Sequence, residues 1–452
     1  MTDQRTASIP PPAITQADVF RRWWPLGLSW LIMTLELVVI TAFVARTAAP
    51  EIQLAAWGVA FAISTLIQAP ATALLPASTA LSTNVASFVR LRGYAGWMLG
   101  SLTAVHLVIA TTPMFSVVTG GIMGVPRDVM EATQPALLFM TPWAIGTGYR
   151  RFLQGALIRF GEVRIVIAGS LLRLVIGTIV LAIGISTAVL PGAQLAAIAI
   201  IVGVLTELQY TRMRFARALV SHGLMPDEAK DRLTFARFVH FMYPLVVMTV
   251  LTMVVQSLVT IVLGRMPEPL IALAIWPVLF GLLAFLQSAG LSYTEVVISM
   301  IGQPDGALVL QRFTWTLTAV VTAVIVMMTI TPLADLWFTT VAGLSVPLAQ
   351  TASVALLAAA AVPGLRVLQG WYQGVIMHRE NNRGILESVL VFLAVASIVF
   401  IAGIVTKLAP GLYVGVFGLT LGMLAQAAWL RHHAMPILRD AHPPHTLEGM
   451  AR

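Results

Sequence analysis

Cysteine is absent from the 452-residue chain. That excludes a disulfide framework and thiolate metal sites, and leaves the redox compartment undetermined. Charge is scarce as well. Asp, Glu, Lys and Arg make up 10% of the residues against 58% hydrophobic ones, and the mean hydropathy is +0.89. A globular core of this size could not hide so much apolar surface, so the solvent is mostly lipid. Also missing are a GxxxxGK(S/T) phosphate loop, an HExxH helix and a GxSxG elbow. ATP-driven transport and the familiar hydrolytic chemistries therefore lack their parts, and the chain is not read as an enzyme. A net charge of +8 on such a chain belongs to inner loops, not to a nucleic-acid partner.

Apolar stretches of about 20 residues are what the chain has in quantity. They fall at 24–45, 54–75, 97–117, 135–157, 165–185 and 196–210, then at 243–263, 271–292, 314–336, 354–377, 385–405 and 412–430. The first follows a polar leader with Pro10, Pro11 and Pro12 and the pair Arg21-Arg22, and it is read as a retained helix, not a signal peptide. With the first terminus inside, 21 Lys and Arg fall on inner loops, helix ends and termini, against four outside: Arg46, Arg127, Arg265 and Lys407. That asymmetry fits twelve alternating spans. The expectation is a multi-pass protein of a bacterial cytoplasmic (inner) membrane with both termini cytoplasmic. Its expected parts are an N-terminal segment 1–23, an N-lobe 24–211, a linker 212–237, a C-lobe 238–431 and a tail 432–452. The linker sets topology or meets anionic headgroups.

The second half repeats the first. An ungapped offset of 219 pairs Pro25 with Pro244, Arg46 with Arg265, Pro50 with Pro269, Trp57 with Trp276, Phe61 with Phe280, Gln68 with Gln287 and Arg164 with Arg383. It also pairs Gln154-Gly155 with Gln373-Gly374, although RFLQG at 151–155 competes with RVLQG at 366–370 at an offset of 215. An even six spans per repeat makes it a parallel repeat, with the substrate path between the lobes.

The stretches PLGLSWLIMTLE at 25–36, LAAWGVAF at 54–61 and APATALLPASTAL from Ala69 resemble the multidrug/oligosaccharidyl-lipid/polysaccharide exporter superfamily. They are most similar to its branch of bacterial relatives of the animal progressive ankylosis protein. The likeness implies an all-α MATE-like fold of twelve helices, in which two six-helix bundles form a V and alternate between outward and inward openings. It implies export driven by a proton or sodium gradient or by membrane potential, with drugs, amphipathic lipids or organic anions as substrates. The rival major facilitator fold would carry an acidic and basic signature where this chain reads FVRLRGYAG.

Intramembrane charges are the candidate site. Glu36, deep in the first span, is either a coupling or substrate carboxylate or a structural ion-pair partner. The first reading gains weight from the functional acid that the extrusion relatives carry in their first helix. Arg173, in the fifth span, pairs with Glu36 or Glu207 or meets an anionic substrate. Glu207 and Arg366 are expected to snorkel or to line the cavity, and Gln68, Gln287, Gln154 and Gln373 line the cavity or join helices. Trp57 and Trp276 read as headgroup anchors. Pro70, Pro142, Pro277 and Pro363 permit bends. His106 reads as a satisfied polar residue, and the histidines 432, 433, 442 and 445 lack metal-ligand spacing. The sequence therefore points to a secondary active transporter, expected to work as a monomer: a cation-coupled exporter of small amphipathic molecules or organic anions. A lipid flippase and a non-transporting enzyme or scaffold remain as alternatives.

Overall fold

In lipid every backbone N–H and C=O must be satisfied within the chain, so apolar segments of this length become helices. The computed structural model describes residues 14–159, 162–221, 233–379 and 383–441, and among these there is no strand. Residues 222–232 of the linker expected at 212–237, the leader prolines and His442 and His445 lie outside the described residues, and 212–221 of that linker continue the last helix of the first half.

The first half contains α1 (Gln16–Val44), α2 (Pro50–Thr72), α3 (Leu74–Leu81), α4 (Val85–Thr111), α5 (Met114–Ser116), α6 (Arg127–Phe139), α7 (Trp143–Arg159), α8 (Val163–Thr187) and α9 (Gly192–Ser221). The second contains α10 (Phe235–Arg265), α11 (Pro269–Met300), α12 (Gly306–Ile330), α13 (Leu333–Leu336), α14 (Val346–Ala358), α15 (Val362–His378), α16 (Arg383–Thr406) and α17 (Gly411–Ala441). Local chemistry sets several starts. Thr15 and Asp18 form a reciprocal cap on α1, Asn84 and Ser87 do so on α4, and Pro50 and Pro269 occupy first-turn positions where no N–H is needed.

Eleven described helices are long and apolar enough to cross a membrane, which makes this a multi-pass membrane protein. The stretch 127–159, divided between α6 and α7 and carrying six charged residues, is not among them. At the 219 offset it corresponds to α14–α15, which is interrupted at the same place.

The repeat extends into backbone detail. Left-handed residues recur in pairs 219 apart: Ala49 with Glu268, Gly124 with Gly343, and Ala188 with Lys407. Short π-helical turns occupy Val117–Ile122 and Trp337–Val341. Helix bounds favour 219 over the competing 215 register, since Trp143–Arg159 and Val362–His378 are 219 apart at both ends. A Cβ on Gly155 would strike Leu75, Ser78 and Thr79 of α3, and one on Gly374 would strike Thr294 and Val297, their counterparts at 219. Glycine at both places lets two helices approach closely.

Among the described residues the buried apolar side chains fall into three clusters. The largest lies at the end carrying the α1–α2 and α10–α11 turns and draws on both halves. The other two lie at the opposite end, one in each half, and each receives the start of the other half's first helix: Phe238 and Met242 of α10 in one, Val19 of α1 in the other. The halves thus share one core at one end and keep two distinct cores at the other, linked there through the exchanged first helices.

At the shared end, Trp57 and Trp276 are buried at 1% and 5% exposure, contrary to the expectation of headgroup anchors. Each indole packs on the phenyl ring four residues later, Phe61 at 5.4 Å and Phe280 at 5.7 Å. With Thr41, Thr260, Gly58 and Pro277 they line a small void between the halves, each residue accompanied by its repeat partner. Sequence near an outer loop suggested the interface; closure of the two halves over that position removed it from lipid.

Outside this plug two arginines cross between halves. Arg46 Nη2 donates to the carbonyl of Thr340 at 2.6 Å, and Arg265 Nη2 donates to the carbonyl of Gly121 at 2.6 Å. Thr340 and Gly121 are themselves 219 apart, so the contacts are reciprocal. Gly124 (φ +68°) and Gly343 (φ +77°) follow the π-helical turns, and a side chain on either would collide with the facing arginine.

Candidate functional site

Four helices of the first half converge on a buried charge network. Glu207 of α9 is fully buried, and its carboxylate accepts from Arg150 Nη1 at 2.6 Å and from Gln154 Nε2 at 3.1 Å, both on α7. Ser170 of α8 adds a longer contact at 3.4 Å. Arg173, one turn further along α8, lies between the two acids. Its Nη2 is 3.0 Å from Glu36 of α1, and its Nε is 3.4 Å from Glu207 at ion-pair distance without hydrogen-bond alignment. Arg151 follows Arg150 on α7 and has a buried Nε without a partner.

The spacing explains the convergence. Arg150 and Gln154 stand one turn apart on a single face of α7, as do Ser170 and Arg173 on α8. Gly169 and Gly203 bring α8 and α9 together: a Cβ on Gly169 would press on the Glu207 side chain, and one on Gly203 would press on Arg173. Three guanidiniums against two carboxylates leave the group positive when all are ionised. Guanidinium does not lose its proton in proteins, so any neutralisation must come from the acids or from an incoming anion. Glu36 and Arg173 retain 13% and 11% side-chain exposure, whereas Glu207 has none. The Glu36–Arg173 pair is therefore the edge of the network that open space can reach.

The second half holds a neutral counterpart. At the 219 offset Arg150 becomes Gln369 and Glu207 becomes Gln426, and Gln369 Nε2 donates to Gln426 Oε1 at 3.1 Å. Glu36 and Arg173 become Val255 and Phe392. The second half does hold Arg366, whose Nη1 donates to Gln369 Oε1 at 3.2 Å and which has no acidic partner among the described residues.

Of the sequence candidates, Glu36, Arg173, Glu207 and Gln154 meet in one network, while the others do not join it. Glu207 does not snorkel: Arg150 and Arg173 offset the cost of burying its charge. Gln68 has a buried Oε1 without a partner, Gln287 donates to the Leu283 carbonyl of its own helix, and Gln373 is half-buried in α15. His106 Nε2 donates to the Leu137 carbonyl at 2.9 Å, a satisfied buried polar group. His433 lies 3.4 Å from Glu387, and no described trio of acidic or histidine side chains is arranged for a metal. Arg150 and Arg151 were counted in the sequence as inner-end charges that set topology; instead they are buried in the network. The signal that would have found them is the repeat, because a half-specific charge opposite an amide at the same register marks a position where the halves differ in chemistry.

Fold and site together define a multi-pass membrane protein built from two related halves, with a buried network of acids and arginines in the first. No family pattern matches the chain in sequence, and no characterised protein does. Its architecture is nonetheless that of known transporters. A multidrug resistance MATE family transporter of the MOP superfamily, in an inward-facing conformation, superposes with a TM-score of 0.67 at 15% identity, covering 92% of this chain and 98% of that one. Lipid II flippase MurJ, in an inward closed conformation, gives 0.67 at 11% identity over 91% and 87%. A MOP superfamily transporter from Pyrococcus furiosus, described as having a binding pocket of reversed polarity, gives 0.62 at 15% identity over 93% and 96%. The chain has the MATE-like fold, as the sequence resemblance implied.

Proposed function

We propose that the protein is a secondary active transporter that works by alternating access and exports small organic anions or anionic amphipaths, coupled to a cation gradient through Glu36. The observation that carries this reading is the accessible Glu36–Arg173 pair at the edge of a net-positive network present in one half only. Protonation of Glu36 would release Arg173 from its nearer partner, and a substrate anion could then take the vacated charge. Deprotonation would restore the internal pair and expel the anion. Proton and anion binding are thus positively linked through a single guanidinium, and that linkage is what couples their movements.

The shared core at one end with two distinct cores opposite supports an inward-open state, with the α1–α2 and α10–α11 turns outside. In the same sense, an outward-facing MATE conformation superposes less well, at a TM-score of 0.61. We further propose that 127–159 is the twelfth span, carrying its charges inside the protein.

In liposomes loaded with candidate organic anions, the wild type should move solute under an imposed proton or sodium gradient, and Glu36→Gln should lose gradient-driven flux. Unchanged flux in Glu36→Gln overturns the coupling role. Fluorescent lipid moving without either gradient would instead identify a flippase.

A further inference from the structure

A second cavity lies away from the charge network, on the flank of the second half. It is an open groove of about 640 Å³ between α12, α15 and α17, at the end of the molecule where the halves keep distinct cores. Its upper part is apolar, lined by Leu365, Leu368 and Leu424, with Ala428 leaving space on α17. Towards the chain terminus the same wall carries Arg431, His432 and Arg439. A smaller void of about 100 Å³ adjoins it and shares Trp315, Tyr372 and Arg431.

We propose that this groove binds an anionic phospholipid, with an acyl chain along the apolar wall and its phosphate between Arg431 and Arg439. The dimensions fit. α17 begins at Gly411, so at about 1.5 Å per residue Arg431 lies roughly 30 Å along the helix, where the hydrocarbon core ends. Leu424 to Arg439 spans roughly 22 Å on the same scale, about the length of an extended acyl chain with its headgroup. Charge is complementary: three of the lining residues are basic, none is acidic, and neither arginine has an ion-pair partner among the described residues. Trp315 and Tyr372 supply amphipathic rings at headgroup depth, and a basic pocket between spans is the known chemistry of anionic headgroup capture. A free phosphate would leave the apolar wall unused.

The first half has an open groove at Leu205, Gln209 and Met213, the 219 counterparts of Leu424, Ala428 and His432, but its lining carries no arginine, so the basic end is particular to the second half. At the 219 offset Leu365, Ala428 and Tyr372 become Gly146, Gln209 and Leu153, and the space beside Gly146 is taken by Val204 and Leu205. The repeat alone therefore does not account for it.

Native mass spectrometry of detergent-solubilised full-length protein, titrated separately with phosphatidylglycerol and phosphatidylcholine, tests the proposal. Wild type should retain phosphatidylglycerol in preference to phosphatidylcholine. Arg431→Ala/Arg439→Ala should lower phosphatidylglycerol occupancy at least tenfold and leave phosphatidylcholine unchanged, and Ala428→Trp, which fills the apolar wall and keeps both charges, should do the same. Arg21→Ala/Arg22→Ala, which removes two exposed charges near the same end of α1, should have no effect. The proposal fails if the groove variants keep their phosphatidylglycerol, or if the Arg21/Arg22 variant loses as much. It also fails if glycerol phosphate alone displaces the lipid, since that would reduce the site to a phosphate cluster.

Discussion

Glu207 is a carboxylate with no contact to water, set between two guanidiniums. Breaking such a pair from one side leaves an uncompensated buried charge, at a cost of about 3–5 kcal/mol, whereas replacing both partners with groups that satisfy each other is near neutral. The second half supplies a tested replacement in Gln369 and Gln426, 3.1 Å apart. We expect Arg150→Gln and Glu207→Gln each to lower the thermal midpoint of the detergent-solubilised protein markedly. The double variant Arg150→Gln/Glu207→Gln should recover most of the loss, a coupling that a double-mutant cycle reads directly. Two equal and additive losses would show that the pair is not a unit. Glu36, at the accessible edge, should behave differently: Glu36→Gln keeps a hydrogen-bonding group beside Arg173, so its effect should fall on flux and little on the midpoint. Glu36, Arg173 and Glu207 were legible as single intramembrane charges, because lipid makes every such residue conspicuous. Arg150 was not, because an arginine near a helix end looks like a topology determinant until the fold buries it.

Among helices, the positions of the elements were readable and their joints were not. The apolar runs gave eleven of the spans, since hydropathy over about 20 residues is a strong signal. The division of 127–159 into α6 and α7, and of its repeat mate into α14 and α15, left no comparable mark. The π-helical turns were likewise invisible, yet they present the carbonyls on which Arg46 and Arg265 close the sealed end. Either arginine changed to Ala removes one crossing contact, and both together should favour opening at that end. With no native cysteine, spin labels at Ala48→Cys and Pro267→Cys, both exposed and 219 apart, report the separation without further engineering. The Arg46→Ala/Arg265→Ala background should lengthen the mean distance, and an unchanged distribution would leave the aromatic plug as the sole closure. Gly155→Leu and Gly374→Leu should each fail to accumulate as folded protein, because each opposing wall is a helix packed at backbone distance.

For the molecule as a whole, the duplicated chain has become unequal in content while staying equal in frame. Three pairs of left-handed residues, the π-helical turns and the closing plug obey the offset of 219, whereas the network of acids and arginines sits in the first half and the groove bearing Arg431 and Arg439 in the second. The sequence repeat made the shared frame readable. The differences needed three dimensions, because they arise where one register holds Arg and Glu in one half and two glutamines in the other. If both termini and the end with two distinct cores face the cytoplasm, a protease added to right-side-out vesicles should spare a tag at either terminus and cleave it only in inverted ones.

The reciprocal arginine contacts also constrain how the sealed end can open. Each half contributes one arginine and one acceptor turn, and the void between them is lined by residues of both halves, so parting the halves at one contact strains the other. Such a joint has no resting place between shut and open. Single-molecule fluorescence between positions 48 and 267 should then show two populations whose ratio shifts with ligand, with no drifting single peak, and the switching of the whole protein would be digital.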